Sequence, residues 1–297
     1  MAKTAILLSA YNGGKYIEDQ IKSIYQQTDQ DFTLIIRDDG SVGEEVKKLE
    51  DLQSKYGFEL IRGKNLGFLK SFFELLRQAE GYQYYSFADQ DDIWLPGKLE
   101  AGVKYLESCE DEEKPRFYHC AYDLVDDQMK KVGEFYFSEE GYDFRRTITE
   151  NHYSGFAMVI NQALREKMLQ GDPEKIGYHD WWAGMIVHAM GEVYYDSKVY
   201  AYHRSHGDNV TTFNMKTRWK WLRKTLREES EIHKRAMEFK RCFYQELRGK
   251  DKNYINLFSG ETYSFKNAMK KVCSPKRWRP VLSSELVMRF LMLIGKI

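Results

Sequence analysis

The sequence predicts an α/β protein built on a doubly wound, mostly parallel sheet. In the first hundred residues, four short apolar runs of strand length alternate with segments whose apolar residues recur every three or four positions. Such alternation is typical of parallel sheets, because each parallel strand is reached through a crossover helix. Polar clusters follow three of the apolar runs. In these sheets ligands bind at the carboxyl ends of the strands, so we expect one site built from all three clusters.

The first two strands are predicted near the start of the chain. Residues 4–10 are almost all apolar, and residues 32–37 form a second apolar run. Between them, apolar side chains spaced by three and four residues indicate a helix over residues 17–25. The first run ends in Ser9-Ala10-Tyr11-Asn12 before a Gly-Gly turn, and the second run ends in Asp38-Asp39-Gly40-Ser41.

The next two strands end differently from each other. A weaker third strand over residues 58–61 leads through Asn65 to a helix over residues 71–79. The fourth strand, residues 84–88, is rich in aromatic residues and stops abruptly at a run of carboxylates. Pro96 then ends regular strand pairing and begins another helix.

The carboxylates after the fourth strand form the most informative cluster of the chain. Asp89, Asp91 and Asp92 lie within four residues, where their charges repel one another. Hard oxygen ligands of this kind suit Mg²⁺ or Mn²⁺ better than zinc. A divalent ion held by few protein groups takes its other ligands from a phosphate, which suggests a nucleoside diphosphate site. The alternative is a solvated acidic turn in which Asp92 caps the next helix.

The order and spacing of the three clusters resemble those of the family 2 glycosyltransferases of the GT-A fold. The resemblance extends over residues 3–210, and Asp89-Gln90-Asp91 matches the DxD element of that family. It implies a nucleotide-sugar donor, with Tyr11 stacking on or near a pyrimidine and Asp39 accepting the ring N–H. It also implies a Mg²⁺ or Mn²⁺ ion at Asp91. The binding residues expected on this basis are Ser9, Tyr11, Asp39, Lys70, Asp89, Gln90 and Arg204 for the nucleotide sugar, and Asp91 and His206 for the metal.

The resemblance also points to a catalytic base in Tyr178-His179-Asp180-Trp181-Trp182. An inverting transferase must remove the proton of the acceptor hydroxyl as that oxygen attacks the sugar. The family carries an acidic pair here, and Asp180 matches its base whereas His179 replaces the first acid. A helix N-terminus would lower the pKa of Asp180, and burial by the two Trp side chains would raise it. The alternative is that Asp180 is only a helix cap.

A later segment, residues 202–210, resembles the Tyr-Arg-x-His-Gly-x-Asn-Val run of many of these enzymes. The match implies that Arg204 and His206 approach the diphosphate or its metal, where a cation would stabilise the leaving nucleotide. For His203 the alternatives are a role in this site and a surface or packing role.

The donor sugar is suggested by resemblance alone. The motifs around Asp89 and Asp180 look most like those of bacterial rhamnosyltransferases, which use dTDP-β-L-rhamnose and build capsule, cell-wall or O-antigen polysaccharides. UDP-glucose, UDP-galactose and UDP-galactofuranose stay open as donors. A non-catalytic, transferase-like binding subunit is a second class of function. Retention of all four carboxylates, at Asp39, Asp89, Asp91 and Asp180, favours the enzyme.

The net charge of zero conceals two oppositely charged regions. Residues 1–210 hold 24 Lys and Arg against 37 Asp and Glu, a net charge of −13, whereas residues 211–297 hold 21 against 8, a net charge of +13. We therefore expect a transferase domain over 1–210 and a basic, amphipathic helical extension over 211–297. The extension would bind an anionic membrane surface, with Trp219, Trp221, Trp278 and residues 286–294 at the interface, or it would pack on the protein or in a homodimer.

The remaining features restrict the class of protein. The four cysteines form no closely spaced pair, which argues against a zinc site or a disulfide framework. We see neither a secretory signal nor a bilayer-spanning run, and no known nucleic-acid-binding module. We therefore expect a cytoplasmic enzyme, peripherally associated with the inner face of the cell membrane, that acts on a polyprenyl-linked saccharide acceptor and binds no nucleic acid.

Overall fold

The computed structural model describes residues 2–135, 142–205 and 222–297. The chain forms two compact units that alternate along the sequence. The first comprises Met1–Glu139, Tyr153–Leu169 and Gly191–Gly207, and the second comprises Glu140–His152, Gln170–Met190 and Asp208–Ile297. The domain boundary expected at residue 210 lies outside the described residues.

Strands and helices alternate through the first hundred residues, as the sequence pattern predicts. The strands are β1 (Thr4–Ala10), β2 (Phe32–Asp38), β3 (Glu59–Arg62), β4 (Tyr84–Asp89), β5 (Ile93–Trp94), β6 (Arg116–Val125), β7 (Lys131–Phe135), β8 (Met158–Asn161) and β9 (Glu192–Arg204). The helices are α1 (Ile17–Tyr25), α2 (Glu44–Tyr56), α3 (Phe68–Gln78), α4 (Lys98–Glu107), α5 (Phe144–Thr147), α6 (Gln162–Met168), α7 (Pro173–Ile176), α8 (His179–Met190), α9 (Glu231–Phe243), α10 (Gly249–Phe258), α11 (Phe265–Val272) and α12 (Leu282–Leu293).

Within the described residues the nine strands form a single sheet in the first unit. Its order is β3-β2-β1-β4-β8-β6-β9-β5, and β7 pairs with β6. The four strands from β3 to β4 are mutually parallel, and β6 and β9 are also parallel, whereas β8 is antiparallel to both β4 and β6. The predicted α/β fold class with its doubly wound, mostly parallel sheet is confirmed, and helices follow in the C-terminal part of the chain.

The centre of the sheet explains why β1 is so apolar. This strand lies between β2 and β4, and all its residues except Ser9 are buried. A parallel strand covered by helices on both faces has no solvent side, so its sequence is continuously apolar rather than alternating. Ile6, Leu8 and Ile36 form part of one apolar cluster of this unit. The buried central strands β1, β2 and β4 therefore lead directly into the polar loops that follow them.

Helices α8 and α9 share the core of the second unit. Trp182 of α8 is fully buried, and its ring centroid lies 5.4 Å from that of Phe239 and 5.8 Å from that of Phe243, both on α9. Aromatic pairs at these distances stabilise a fold beyond their area burial. The helix that carries Asp180 is thus fixed by packing against part of the C-terminal extension.

Trp278 corrects one expectation for the C-terminal region. It is 1% exposed, with its ring centroid 5.1 Å from that of Phe258. Its indole N–H donates to the carbonyl of Lys271 at 2.9 Å, and its backbone N–H donates to Glu285 at 3.0 Å. The prediction that Trp278 lies at lipid headgroup depth is therefore wrong, because this side chain belongs to the core. Trp219 and Trp221 lie outside the described residues.

None of the helices in the described ranges combines the length and the apolar character that crossing a bilayer requires.

Candidate active site

The ends of three parallel strands meet at one edge of the sheet. Ser9 of β1 lies opposite Asp89 at the end of β4 and opposite Arg37 near the end of β2. The polar loops that follow these strands are therefore neighbours, as their positions in the sequence predict. They form a polar surface at the carboxyl ends of the strands, where ligands bind in sheets of this kind.

The loop after β1 is tied to both neighbouring loops. Gln90 accepts a hydrogen bond from the backbone N–H of Tyr11 at 2.9 Å and donates to its carbonyl at 3.2 Å. On the other side, the Ser41 hydroxyl accepts from the N–H of Asn12 at 2.9 Å, and Asn12 accepts from the N–H of Val42 at 3.1 Å. The middle residue of the Asp-Gln-Asp motif thus fixes the backbone that carries Tyr11. The Tyr11 ring itself is 47% exposed and available for stacking.

Asp39 is the centre of a buried polar network. Its carboxylate forms an ion pair with Arg37 and accepts hydrogen bonds from the N–H groups of Leu66 and Gly67, both at 2.9 Å. A carboxylate offers about four acceptor positions, and in Asp39, which is 2% exposed, three of them meet protein donors. Asp39 therefore orders the loop before α3, and its role toward a pyrimidine ring stays a prediction.

The turn after β2 requires glycine at position 40. Gly40 has φ of +87°, and a Cβ there would lie 2.8 Å from the backbone nitrogen of Asn65. Only glycine combines a left-handed backbone with this close approach. The turn therefore brings the loop after β2 into contact with the segment that precedes α3.

A short chain of hydrogen bonds connects Ser9 with α3. The Ser9 hydroxyl donates to Ser71 at 2.6 Å, and Arg37 donates to the same Ser71 oxygen at 3.1 Å. Lys70, the preceding residue, lies in the first turn of α3 and is partly exposed. Ser9 is thus positioned by the protein, whereas contact of either residue with a nucleotide stays a prediction.

The three carboxylates after β4 have different environments. Asp89 and Asp91 are partly exposed, whereas Asp92 is fully buried. Asp92 accepts a hydrogen bond from the N–H of Arg204 at 3.3 Å, and the same oxygen lies 2.8 Å from Nδ1 of His203. Asp92 is therefore a structural carboxylate that holds β9 against this loop, whereas Asp89 and Asp91 reach the surface.

His203 is the residue of this site whose role the sequence left open. Its ring stacks on that of Phe156, with centroids 5.0 Å apart and planes 6° apart. Burial opposes protonation, but the attraction and hydrogen bond of Asp92 prevail and raise the pKa of His203 above its usual value. The ring is thus held beside the carboxylates of the loop. The only signal in the sequence was its proximity to Arg204, because no local pattern pairs positions 92 and 203.

The donor set at Asp89 and Asp91 fits a hard divalent cation. Carboxylate oxygens suit Mg²⁺ or Mn²⁺, and partial exposure allows phosphate and water to supply the other ligands. Among the residues that the structure describes, no group of three or more His, Cys, Asp and Glu side chains is arranged to hold a metal by itself. His206, the second expected ligand, lies outside the described residues.

Arg204 is directed toward α1. Its guanidinium donates to Asp19 at 2.9 Å and lies 4.9 Å from the ring centroid of Tyr16. The side chain is 4% exposed. It therefore has a packing and pairing role in the first unit, and its approach to a diphosphate stays a prediction.

Asp180 lies in the second unit, in the first turn of α8. Its carboxylate accepts a hydrogen bond from the N–H of Trp181 at 2.7 Å. Burial raises the pKa of Asp180 to about 6, although hydrogen bonds from Asn151 and Trp181 and the charge of Arg235 act in the opposite direction. Burial thus outweighs the helix N-terminus, a balance that the sequence alone left undecided. A carboxylate with this pKa is ionised at neutral pH and basic enough to accept a proton.

A buried arginine that the sequence analysis did not single out supports this region. Arg235 of α9 is 1% exposed, and its guanidinium lies 3.4 Å from the ring centroid of Trp181. It donates to the carbonyl of Ile176 at 2.6 Å. Burial lowers the pKa of Arg235 to about 9, so its charge persists at neutral pH beside Asp180. No motif marks Arg235, since it lies 55 residues after Asp180 along the chain.

Curated relatives of the chain are glycosyltransferases. The chain is 27% identical over 229 residues to the dTDP-rhamnosyl transferase RfbG of Shigella flexneri, covering 73% of this chain and 77% of RfbG. It is 23% identical over 214 residues to the uncharacterized glycosyltransferase RP339 of Rickettsia prowazekii, covering 70% of this chain and 65% of that protein.

Solved structures show the same fold at low sequence identity. Residues 1–349 of TarS from S. aureus match with a TM-score of 0.60 at 16% identity, covering 99% of this chain and 81% of that one. The mannosyltransferase PcManGT of Pyrobaculum calidifontis, in complex with GDP-Man and Mn²⁺, matches with a TM-score of 0.53 at 13% identity, covering 86% of this chain and 68% of that one.

The family assignment rests on sequence as well as fold. The model of the family described as "Glycosyl transferase family 2" matches residues 5–169, more than half of the chain. This range includes the three strand-end clusters. The chain therefore belongs to glycosyl transferase family 2 and is a glycosyltransferase of the GT-A fold.

Proposed function

We propose that the protein is an inverting glycosyltransferase that moves L-rhamnose from dTDP-β-L-rhamnose onto a lipid-linked saccharide acceptor in capsule, cell-wall or O-antigen synthesis. The observation that carries the transferase role is the convergence of the loops after β1, β2 and β4 at one sheet edge. The likeness to RfbG supports rhamnose as the sugar. Donor, acceptor and pathway are all part of the proposal.

The donor nucleotide would bind on the three connected loops. Tyr11 offers an exposed ring for base stacking, and Gln90 holds the backbone of that residue in place. Asp39 is proposed to accept the N–H of a pyrimidine ring. Asp89, opposite Ser9, is proposed to contact the ribose.

A divalent ion fits Asp91, and Asp89 lies close enough in sequence to supply a second ligand. When bound, Mg²⁺ or Mn²⁺ would neutralise charge that develops on the diphosphate as it leaves. The residues of the chain would orient the donor, since both flanking loops are fixed by hydrogen bonds to their neighbours. His203, paired with Asp92, lies beside the same part of the loop.

Asp180 is proposed as the general base. Its carboxylate would accept the proton of the acceptor hydroxyl while that oxygen forms a bond to the anomeric carbon and the bond from this carbon to the diphosphate oxygen breaks. Attack from the side opposite to the leaving group inverts the anomeric configuration. The pKa of about 6 supports the assignment because the group is both ionised and basic at neutral pH.

Other donors are a second candidate, because structural neighbours have been solved with UDP, UDP-GlcNAc or GDP-Man. TarS has been solved with UDP-GlcNAc, and this complex matches the chain with a TM-score of 0.55 at 15% identity. A UDP-hexose or UDP-galactofuranose transferase of the same fold would use the same protein groups. A non-catalytic transferase-like subunit would bind the donor without turning it over.

Thermal unfolding distinguishes these candidates. A ligand that binds only the folded state raises the melting temperature, by an amount that grows with its affinity. We expect dTDP-rhamnose with Mg²⁺ or Mn²⁺ to raise Tm more than UDP-glucose, UDP-galactose or UDP-galactofuranose at equal concentration. Asp39→Ala should remove most of the shift, even for dTDP without sugar. A larger shift with a UDP-sugar would overturn the rhamnose assignment and leave the family unchanged.

We further propose that the acceptor is polyprenyl-linked and that the enzyme works as a peripheral protein at the inner face of the cell membrane. The support is the +13 net charge of residues 211–297, because lysine and arginine are attracted to anionic lipid within a Debye length. A homodimer is the alternative use of this region.

A further inference from the structure

Helix α12 is apolar on two faces, of which the protein covers only one. Met288, Leu291 and Met292 are buried against the second unit, together with Glu285. On the other side lie six large apolar side chains that are 38–61% exposed: Leu282, Leu286, Val287, Phe290, Leu293 and Ile294. We call these six residues the α12 apolar face.

The spacing of these residues places them on one continuous surface. Leu282, Leu286 and Phe290 follow one another at four-residue intervals, which puts them in a row along a helix. Val287 and Leu293 each lie three residues from Phe290, so they are neighbours of this row on the helix surface. A helix that packs on a protein through one face normally has a polar opposite face. A contiguous apolar surface of this kind marks an interaction site.

Aromatic residues extend the surface beyond the helix. Tyr263 is 56% exposed, and its hydroxyl donates to the carbonyl of Leu293 at 2.8 Å. Phe265, at the start of α11, is 64% exposed. Aromatic side chains with a polar tip or a free edge favour the boundary between water and lipid.

The segment that carries this surface is basic. Residues 261–297 contain eight Lys and Arg against two Glu, a net charge of +6. One of the two acids, Glu285, is buried and paired with Arg289. Four exposed cations form no ion pair within the part of the chain that the structure describes: Lys266, Lys270, Lys276 and Arg277.

We infer that the α12 apolar face and the four exposed cations of the same segment form a docking surface for an anionic lipid bilayer, on which α12 lies parallel to the membrane plane. An apolar helix face combined with cations gives reversible binding at an interface. The charge favours lipid over a second copy of the chain, because two faces of the same sign repel. The inference rests on the proposed function only for the membrane location of the acceptor.

Vesicle sedimentation with the full chain tests this surface. Binding to vesicles of phosphatidylcholine with 30% phosphatidylglycerol is expected at low salt, with a marked loss on pure phosphatidylcholine or at high salt. Leu286→Asn with Phe290→Asn should weaken partitioning about 10- to 100-fold, since each exposed apolar side chain contributes to burial in the interface. Both positions are exposed, so folding should be retained, which circular dichroism and Tm verify.

Two further variants test the same surface: a control at an exposed apolar residue elsewhere, and a variant that lacks the four cations. Val132→Asn removes an apolar side chain that is 58% exposed in the first unit and should leave vesicle binding unchanged. Replacing Lys266, Lys270, Lys276 and Arg277 by Gln should weaken the preference for anionic lipid. If the Leu286/Phe290 variant binds as the wild type does, the inference is wrong. A dimer that this double variant dissociates in sedimentation velocity, without vesicle binding by the wild type, would also overturn it.

The lipid assay is independent of turnover. Vesicle binding without glycosyl transfer would retain the docking surface and reject the proposed function. Transfer to a water-soluble acceptor without vesicle binding would retain the glycosyltransferase function and reject the docking surface.

Discussion

Replacing Asp180 with Asn should lower kcat by roughly 10²–10⁴, the usual contribution of a general base. The Asn side chain keeps the shape of the carboxylate but cannot accept the proton of the acceptor hydroxyl. Donor affinity should be almost unchanged, which calorimetry with the nucleotide sugar can check. In the wild type, kcat/KM should fall as pH decreases through about 6, because protonated Asp180 is inactive.

Stability provides the control for this variant. The pKa of Asp180 in the folded protein is raised above 3.8, so any stability due to its protonation is present below pH 3.8 and is lost as pH rises through about 6. Asp180→Asn should therefore be at least as stable as the wild type at pH 8. Asp172→Asn, at the start of α7 in the same unit, keeps a helix cap and should keep full activity. Wild-type kcat in Asp180→Asn would remove this residue from the mechanism.

Removing the divalent ion should abolish transfer. EDTA should reduce the rate to background, and added Mg²⁺ or Mn²⁺ should restore it, because the leaving diphosphate needs its charge neutralised. Asp91→Asn should lower transfer about 100-fold or more and weaken nucleotide binding only when metal is present. Asp91 is partly exposed, so the variant should fold.

Two other carboxylates serve as comparisons for Asp91. Asp111→Asn changes an exposed turn residue in the same unit and should leave metal dependence intact. Asp92→Asn should instead lower the pKa of His203, because it removes the carboxylate that pairs with that ring. Full turnover in excess EDTA would show that the metal role of Asp91 is wrong.

The fold was predictable because its signals are local. Each strand of the first half is an apolar run and each helix has its own period, and the parallel order follows from their alternation. The edge where ligands bind follows in turn, since polar residues at the ends of parallel strands are brought together by topology alone. For this reason Ser9, Asp39 and Asp89, which lie far apart along the chain, are predictable neighbours.

The separate roles of the individual residues could not be predicted from the sequence. Asp91 and Asp92 are adjacent and chemically identical, yet only the tertiary contact with His203 makes Asp92 structural. In the same way, Trp278 looks like an interfacial residue in a basic segment, but the packing of Phe258 places it in the core. For Asp180, two opposing effects on the pKa had to be compared, and only the extent of burial decides between them.

An inverting transferase forms a glycosidic bond whose anomeric configuration is opposite to that of the donor. This is decided by NMR of the product formed from dTDP-β-L-rhamnose and a saccharide acceptor, with Mg²⁺ or Mn²⁺ present. We predict an α-L-rhamnoside, which the anomeric one-bond carbon–proton coupling identifies. A β-linked product, or release of free rhamnose with no new glycosidic bond to any acceptor, would show that the chain is not an inverting rhamnosyltransferase.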